Sequence, residues 1–327
     1  MSTHEANAEG IALAVRLLRE GKLVAFPTET VYGLGARALD AAAVARIFEA
    51  KGRPRSHPLI AHVAGEDDAR ALASEWSARA SRLARAFWPG PLTLVVPRAA
   101  HVPDVVAGGG DSIAVRAPAH PVARALIEAL GEPIAAPSAN RYQTLSPTRA
   151  EHVVKSLGDR VDLVLDGGAC ASGIESTVVD VRGERARVLR PGALSMAALR
   201  AIEADIEVAE GVVAEDAERA SPGMDARHYA PRARVVIAEG RAAAIAEAHA
   251  RVDEGRVGLV LRGGAIDVRM AGIDVRVLPD APVGYAAALF ATLHALDDAS
   301  SAAIVIEAVP EGEAWWPVAD RLRRAAT

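Results

Sequence analysis

Residues 24–35 read VAFPTETVYGLG, and the fold turns on how this stretch is taken. Leu23 to Phe26 form a short apolar run closed by Pro27, which suits a buried strand that stops where a residue without an N–H cannot donate to a ladder. Thr28, Glu29, Thr30 and Tyr32 then place polar chemistry at or just past the strand end. Gly33 and Gly35 follow, and their missing Cβ allows close approaches. In open α/β sheets ligands bind at such strand ends. On spacing alone the stretch equally suits an ordinary strand and hairpin turn whose threonines satisfy local backbone groups.

Recurrence favours a site. IAVRAP at 113–118, IAAPSAN at 134–140, ESTVVD at 175–180 and VLRPG at 188–192 each run from an apolar strand into small hydroxyl, amide or cationic residues. Such a set predicts one cavity in the N-terminal two thirds, floored by strand ends and ringed with positive charge.

Composition bounds the rest. A chain of 327 residues with 51% hydrophobic and 24% charged residues has room for two globular domains of ordinary size. It contains no apolar run long enough to span a bilayer, and the polar opening MSTHEANAEG does not read as a secretory signal. One cysteine, Cys170, excludes an intrachain disulfide, cannot alone build a structural zinc site and fits a cytoplasmic protein. By itself it reads as a small semi-buried residue. A net charge of −5 argues against nonspecific nucleic-acid binding. Lysine occurs only at positions 22, 51 and 155, so Lys51, inside a motif, is a lysine kept against a strong preference for arginine.

The pattern predicts helices near 8–20, 41–51, 66–87, 121–130, 149–156 and 195–203, with Asp40 and Thr148 as caps and Gly131 as a stop. Strands are expected at 23–26, 58–63, within WPGPLTLVV through Val96, and at 111–117, 133–136, 162–166, 175–181 and 186–190. KGRPRSHP, 51–58, is a proline-punctuated basic loop carrying Lys51, Arg53 and Arg55; a charge run of this kind usually reads as a solvated loop, but three clustered cations repel one another without an anion, which favours contact with a polyphosphate. Residues 204–220 look like a connector. Beyond 232 strand-like runs (234–238, 256–261, 273–278, 302–306) alternate with helical ones (241–252, 284–296, 315–325), a small α/β layer. Gly263-Gly264 is no phosphate fingerprint, so this part is assigned no chemistry.

Taken together FPTETVYGLG, KGRPRSHPLIAHV, WPGPLTLVV, AVRAPAHP, IAAPSAN with SPT at 146–148, DGGACASGIESTVVDV, LRPG and SPGMDARHYAP resemble the threonylcarbamoyl-adenylate synthases of the YrdC type in their long two-domain form. The resemblance implies an α/β fold: a YrdC-like twisted mixed sheet with flanking helices over 1–205, a linker at 206–231, and a smaller Rossmann-like α/β domain over 232–327. SPGMDARHYAP suggests a lid that folds back over the cavity, while the tail AWWPVADRLRRAAT departs from the glycine-rich ending of the family.

The implied activity joins L-threonine, bicarbonate or CO2, and ATP into threonylcarbamoyl-AMP and pyrophosphate, for modification of adenosine 37 in tRNA. By the same resemblance Thr28, His62, Arg116 and Ser176 line the threonine side. Lys51, Arg53, Ser138, Asn140, Ser146, Arg190 and Tyr229 line the ATP side, with Lys51 and Arg53 as the catalytic cations. Mg2+ is expected only on ATP, with no protein metal site. A weak contact with tRNA and downstream tRNA threonylcarbamoyltransferase proteins are the expected partners, and no membrane. One rival is a noncatalytic RNA-binding module of YrdC-like fold. A carbamoyl-adenylate enzyme of hydrogenase maturation, the other, calls for zinc-finger cysteines that one cysteine cannot supply.

Overall fold

The computed structural model describes residues 2–209, 229–264 and 270–326. These fall into two compact units. The first comprises 2–142, 146–171 and 175–209, and the second 143–145, 172–174, 229–264 and 270–326.

In the first unit the strands are β1 (Ser2–Glu5), β2 (Val24–Phe26), β3 (Gly33–Arg37), β4 (Ile60–His62), β5 (Leu92–Pro97), β6 (Ser112–Arg116), β7 (Ile134–Ala135), β8 (Leu163–Asp166), β9 (Thr177–Asp180), β10 (Arg187–Arg190) and β11 (Glu207–Val208). The helices are α1 (Ala8–Arg19), α2 (Ala41–Lys51), α3 (Glu66–Ala71), α4 (Ala78–Phe87), α5 (Asp104–Ala107), α6 (Pro121–Leu130), α7 (Ala150–Leu157) and α8 (Met196–Ile202). The strands form one mixed sheet in the order β1-β8-β2-β3-β7-β4-β6-β5-β9-β10-β11.

Local chemistry explains the helix boundaries that matter for the site. Asp40 Oδ1 accepts from the N–H groups of Ala42 and Ala43 at 3.1 and 3.0 Å, starting α2. Gly52, at φ 66°, ends it in the left-handed conformation that glycine adopts without strain. Helix α2 therefore delivers Lys51 in its last turn, at a fixed place beside the sheet. Thr148 does not cap α7. Arg149 occupies the cap without a side-chain bond, and the Thr148 N–H instead donates to His152 Nδ1 at 3.3 Å.

The PTETVYGLG stretch is both a hairpin and a polar strand end. Strands β2 and β3 pair antiparallel, with Val24 opposite Gly35 and Phe26 opposite Gly33. A Cβ on Gly35 would lie 2.8 Å from the Phe26 ring and 2.9 Å from Ile134 Cγ2, so the hairpin packs only because that side chain is missing. Beneath it Leu18, Val24, Phe26, Leu126, Leu163 and Leu165 form a buried core, each such side chain contributing about 1.5–3 kcal/mol on burial.

In the second unit β12 (Arg234–Ala238), β13 (Val257–Arg262), β14 (Ile273–Leu278) and β15 (Ala303–Glu307) form an all-parallel sheet in the order β12-β15-β13-β14. Helices α9 (Arg241–Ala250), α10 (Pro282–Asp298) and α11 (Trp316–Ala325) accompany it. Ala244, Ala248, Val257, Leu259, Leu261 and Val305 make its core. This is the Rossmann-like α/β arrangement expected from alternating strand and helix patterns. Within the described residues no helix is long and apolar enough to cross a membrane.

Candidate active site

Five neighbouring strands carry a row of polar side chains at their ends. His62 on β4 is in register with Arg116 on β6, β6 pairs with β5, β5 with β9, and β9 with β10. The row reads His62, Arg116, Thr93, Ser176, Arg190, and hydrogen bonds tie much of it together. Ser176 Oγ lies 2.7 Å from Thr93 Oγ1. Arg190 donates through Nη2 to the Ser176 hydroxyl at 3.2 Å and to its carbonyl at 2.9 Å. The residue expected on the nucleotide side and one expected on the threonine side are thus direct partners.

Arg116 is almost fully enclosed. Its Nη1 donates to Thr30 Oγ1 at 2.9 Å and its Nε to the Gly90 carbonyl at 3.2 Å, while Nη2 lies 2.6 Å from Glu29 Oε1. Burial alone would raise the Glu29 pKa, but the charge and hydrogen bonding of Arg116, together with the backbone N–H groups of Glu29 and Ala119, outweigh it and leave it lowered. Thr28 completes this wall. Its hydroxyl donates to the Val31 carbonyl at 2.6 Å and lies 2.8 Å from the Thr30 hydroxyl.

His62 is buried, and its pKa falls to about 3, chiefly by desolvation and then by the charge of Arg116. It is a neutral imidazole whose Nδ1 has no hydrogen-bond partner, so it can offer a ligand one neutral nitrogen. Cys170 lies nearby, its thiol pushed up to about 12 by burial. Among the described residues no group of three His, Cys, Asp or Glu is placed to hold a metal ion.

On the side expected to take the nucleotide, the basic loop does not project into solvent as its charge alone would predict. Lys51 and Arg53 are 3% and 8% exposed, and only Arg55 turns outward, to Glu49 at 3.3 Å. Lys51 Nζ donates to the carbonyls of Ser138 and Asn140, and Arg53 Nη2 to that of Pro58 at 3.1 Å. The loop around 138–140 is held from its other side by the hairpin, where Ala139 N–H donates to the Tyr32 carbonyl at 2.8 Å and Leu34 N–H to that of Pro137 at 2.8 Å. Ser146 Oγ donates to Glu175 Oε1 at 2.5 Å, joining that region to the residue before Ser176.

One network therefore links Thr28, Arg116, Lys51, Ser138 and Asn140 through the hairpin. A second links Ser146, Ser176 and Arg190, and adjacent strands connect the two. Tyr229 belongs to the second unit, where its ring lies 5.6 Å from that of Phe290 and 5.3 Å from the Arg321 guanidinium. The proposed lid residues 221–228 lie outside the described residues. Glu29, Thr30, Thr93 and Glu175 are additional members. Glu29 and Thr30 stood in the opening stretch, and Thr93 is the one polar residue in the apolar run LTLVV.

Residues 16–192 match the Sua5/YciO/YrdC family model, described as telomere recombination, and residues 194–327 match the C-terminal domain of threonylcarbamoyl-AMP synthase. The chain is 43% identical over 322 residues to threonylcarbamoyl-AMP synthase of Pyrococcus abyssi, covering 97% of this chain and 94% of that one. It is 38% identical to the Bacillus subtilis protein of the same name, covering 98% and 94%. In three dimensions it is similar to a crystal structure of P. abyssi Sua5 complexed with L-threonine, with a TM-score of 0.90 and 41% identity over 99% of this chain and 96% of that one.

Proposed function

The chain belongs to the threonylcarbamoyl-AMP synthase family, and on that premise we propose that it condenses L-threonine, bicarbonate or CO2, and ATP into threonylcarbamoyl-AMP with release of pyrophosphate. The observation that carries this reading is the row of strand ends: buried guanidinium groups and hydroxyls side by side, with Lys51 and its loop linked to them through the hairpin. Such a wall suits two anionic substrates held next to each other.

In this scheme the threonine ammonium gives up a proton to solvent, the free amine adds to CO2 and loses a second proton to give a carbamate, and a carbamate oxygen attacks the α-phosphorus with pyrophosphate as leaving group. Arg116 takes the amino-acid carboxylate, for which its planar fork is suited. Thr28, Ser176 and the neutral His62 offer hydroxyl and imidazole partners to the rest of threonine. Lys51, Arg53 and Arg190 counter the negative charge of the nucleotide, and Ser138, Asn140 and Ser146 complete its side. Mg2+ arrives on the triphosphate as part of the substrate.

No covalent enzyme intermediate is required. Holding the reactants in register in one dry pocket can lower a barrier by about 7–11 kcal/mol, and fixed cations supply the charge stabilisation that phosphoryl chemistry needs. The product is a mixed anhydride suited to acylate an exocyclic amine. We assign it to modification of adenosine 37 of tRNA in the cytoplasm, through a separate tRNA threonylcarbamoyltransferase.

The test is pyrophosphate release from ATP with threonine and bicarbonate omitted one at a time. Each omission should abolish it. Release that ignores both omissions, or salt-dependent tRNA binding with no threonine-dependent ATP consumption, would overturn the assignment in favour of a noncatalytic module.

A further inference from the structure

Glu29 faces the guanidinium assigned to the amino-acid carboxylate. Its Oε1 lies 2.6 Å from Arg116 Nη2, the two side chains being 14% and 4% exposed. The other nitrogens of that guanidinium that make hydrogen bonds are committed to protein oxygens, Nη1 to Thr30 and Nε to Gly90. Nη2 and both carboxylate oxygens of Glu29 are buried, and the shortest contact between the two side chains is that 2.6 Å approach. The pair is held by the charge and contact of Arg116, and backbone N–H groups of Glu29 and Ala119 also favour the carboxylate. Near it among the described residues stand the uncharged His62, the un-ionised Cys170, the hydroxyls of Thr28 and Thr30, and His120, whose pKa burial lowers while the Glu29 charge opposes that.

Charge counting shows what must happen when an amino acid binds there. A substrate carboxylate on Nη2 sets two carboxylates against one guanidinium in a poorly hydrated pocket, and an uncompensated buried charge is strongly unfavourable. An α-ammonium carried by the same substrate restores the balance if it pairs with the carboxylate just displaced. We propose that Glu29 is the specificity residue that recognises the α-ammonium of the amino-acid substrate. Binding exchanges one internal ion pair, Glu29 with Arg116, for two across the interface, Glu29 with the ammonium and Arg116 with the carboxylate. This rests on the reading of Arg116 as the carboxylate ligand, and it adds the reason that a zwitterion rather than any small carboxylate is admitted.

The experiment is calorimetric titration of the full chain with two ligands, L-threonine and 2,3-dihydroxybutyrate, which keeps the carboxylate and side-chain hydroxyl but carries a hydroxyl in place of the ammonium. The wild-type protein should prefer threonine by at least about 100-fold, as a site built for a buried polar partner rejects the analogue that lacks it. In Glu29→Gln threonine should weaken by at least about 10-fold while the dihydroxy acid holds or tightens, and Glu29→Asp should restore much of the preference. Arg116→Lys should weaken both ligands alike.

Equal affinities of the wild-type protein for the two ligands would overturn the proposal without any variant, and so would an equal loss of both in Glu29→Gln. If Glu29→Gln does not fold, the wild-type ratio decides. If Arg116→Lys leaves both affinities unchanged, the carboxylate assignment itself fails and the ion-pair exchange falls with it.

Discussion

Lys51 Nζ lies 2.6 Å from the carbonyl oxygen of Ser138 and also donates to that of Asn140, so a cation on the last turn of one helix fixes the loop between two later elements. Burial, and after it the charge of Arg53, pull its pKa well below the usual lysine range. Two N–H groups of the amine hold the loop; in the proposed role an anionic phosphate beside it favours uptake of a proton, giving the ammonium its third donor for a phosphate oxygen. Lys51→Ala should therefore lose stability, about 1.5–3 kcal/mol for each hydrogen bond to a charged group. It should also lose pyrophosphate release by about 100-fold at saturating ATP, the usual cost of one transition-state donor. Wild-type release from a folded Lys51→Ala protein would remove the residue from the chemistry.

Gly192 makes the corresponding link on the other side. A Cβ there would lie 2.4 Å from the carbonyl carbon of Ser176 and 2.5 Å from the carbonyl oxygens of Glu175 and Ser176. These are backbone atoms that cannot step aside. Gly192→Ala should cost about 1–3 kcal/mol of stability, typical of overpacking, and weaken threonine and ATP together, because Ser176 and Arg190 are hydrogen-bonded to each other. Urea unfolding and paired titrations check this. Unchanged affinity for both ligands would show that the turn yields without moving the site.

The strands that carry the site were legible because each is a short apolar run stopped by proline, a hydroxyl or a charge, and those signals are local. Strand β3, reading GLGAR, was hidden by its glycines, which lower β-propensity, although they allow the hairpin to pass Phe26 and Ile134. Strand β1, STHE, is exposed along its length and has no apolar alternation to betray it. The burial of Lys51 and Arg53 was illegible for a different reason. A basic, proline-rich run reads as solvated unless its distant carbonyl partners are known, and Ser138 lies 87 positions away from Lys51. The Glu29–Arg116 pair joins residues that no periodicity connects.

Cys170 provides a check on the enclosure of the pocket. Its thiol is 5% exposed and pushed up to about 12, and only the thiolate is an effective nucleophile. At pH 8 iodoacetamide should modify the native protein at least about 100-fold more slowly than the protein in denaturant, as read by intact mass. Rapid native labelling would mean that the wall around Thr28 opens readily.

The neutral His62 makes stability depend on acid. Its folded pKa is about 3 against 6.5 for the free side chain, so below pH 6.5 the unfolded chain takes up a proton that the folded one refuses. A depressed folded pKa means that the stabilising contribution is fully present above pH 6.5 and is lost as pH falls through the window toward 3. At about 1.36 kcal/mol per pKa unit the loss across that window is of the order of 5 kcal/mol. His152, held near 4 by burial and then by Arg149 and Lys155, adds in the same direction. Unfolding free energies measured from pH 7 to pH 4 should therefore fall more steeply for the wild-type protein than for His62→Leu, and a His62→Leu, His152→Leu double variant should be flatter still. Parallel curves for wild type and His62→Leu would mean that the imidazole is hydrated enough to protonate in place, and the neutral nitrogen offered to threonine would then have to be redrawn as a cation.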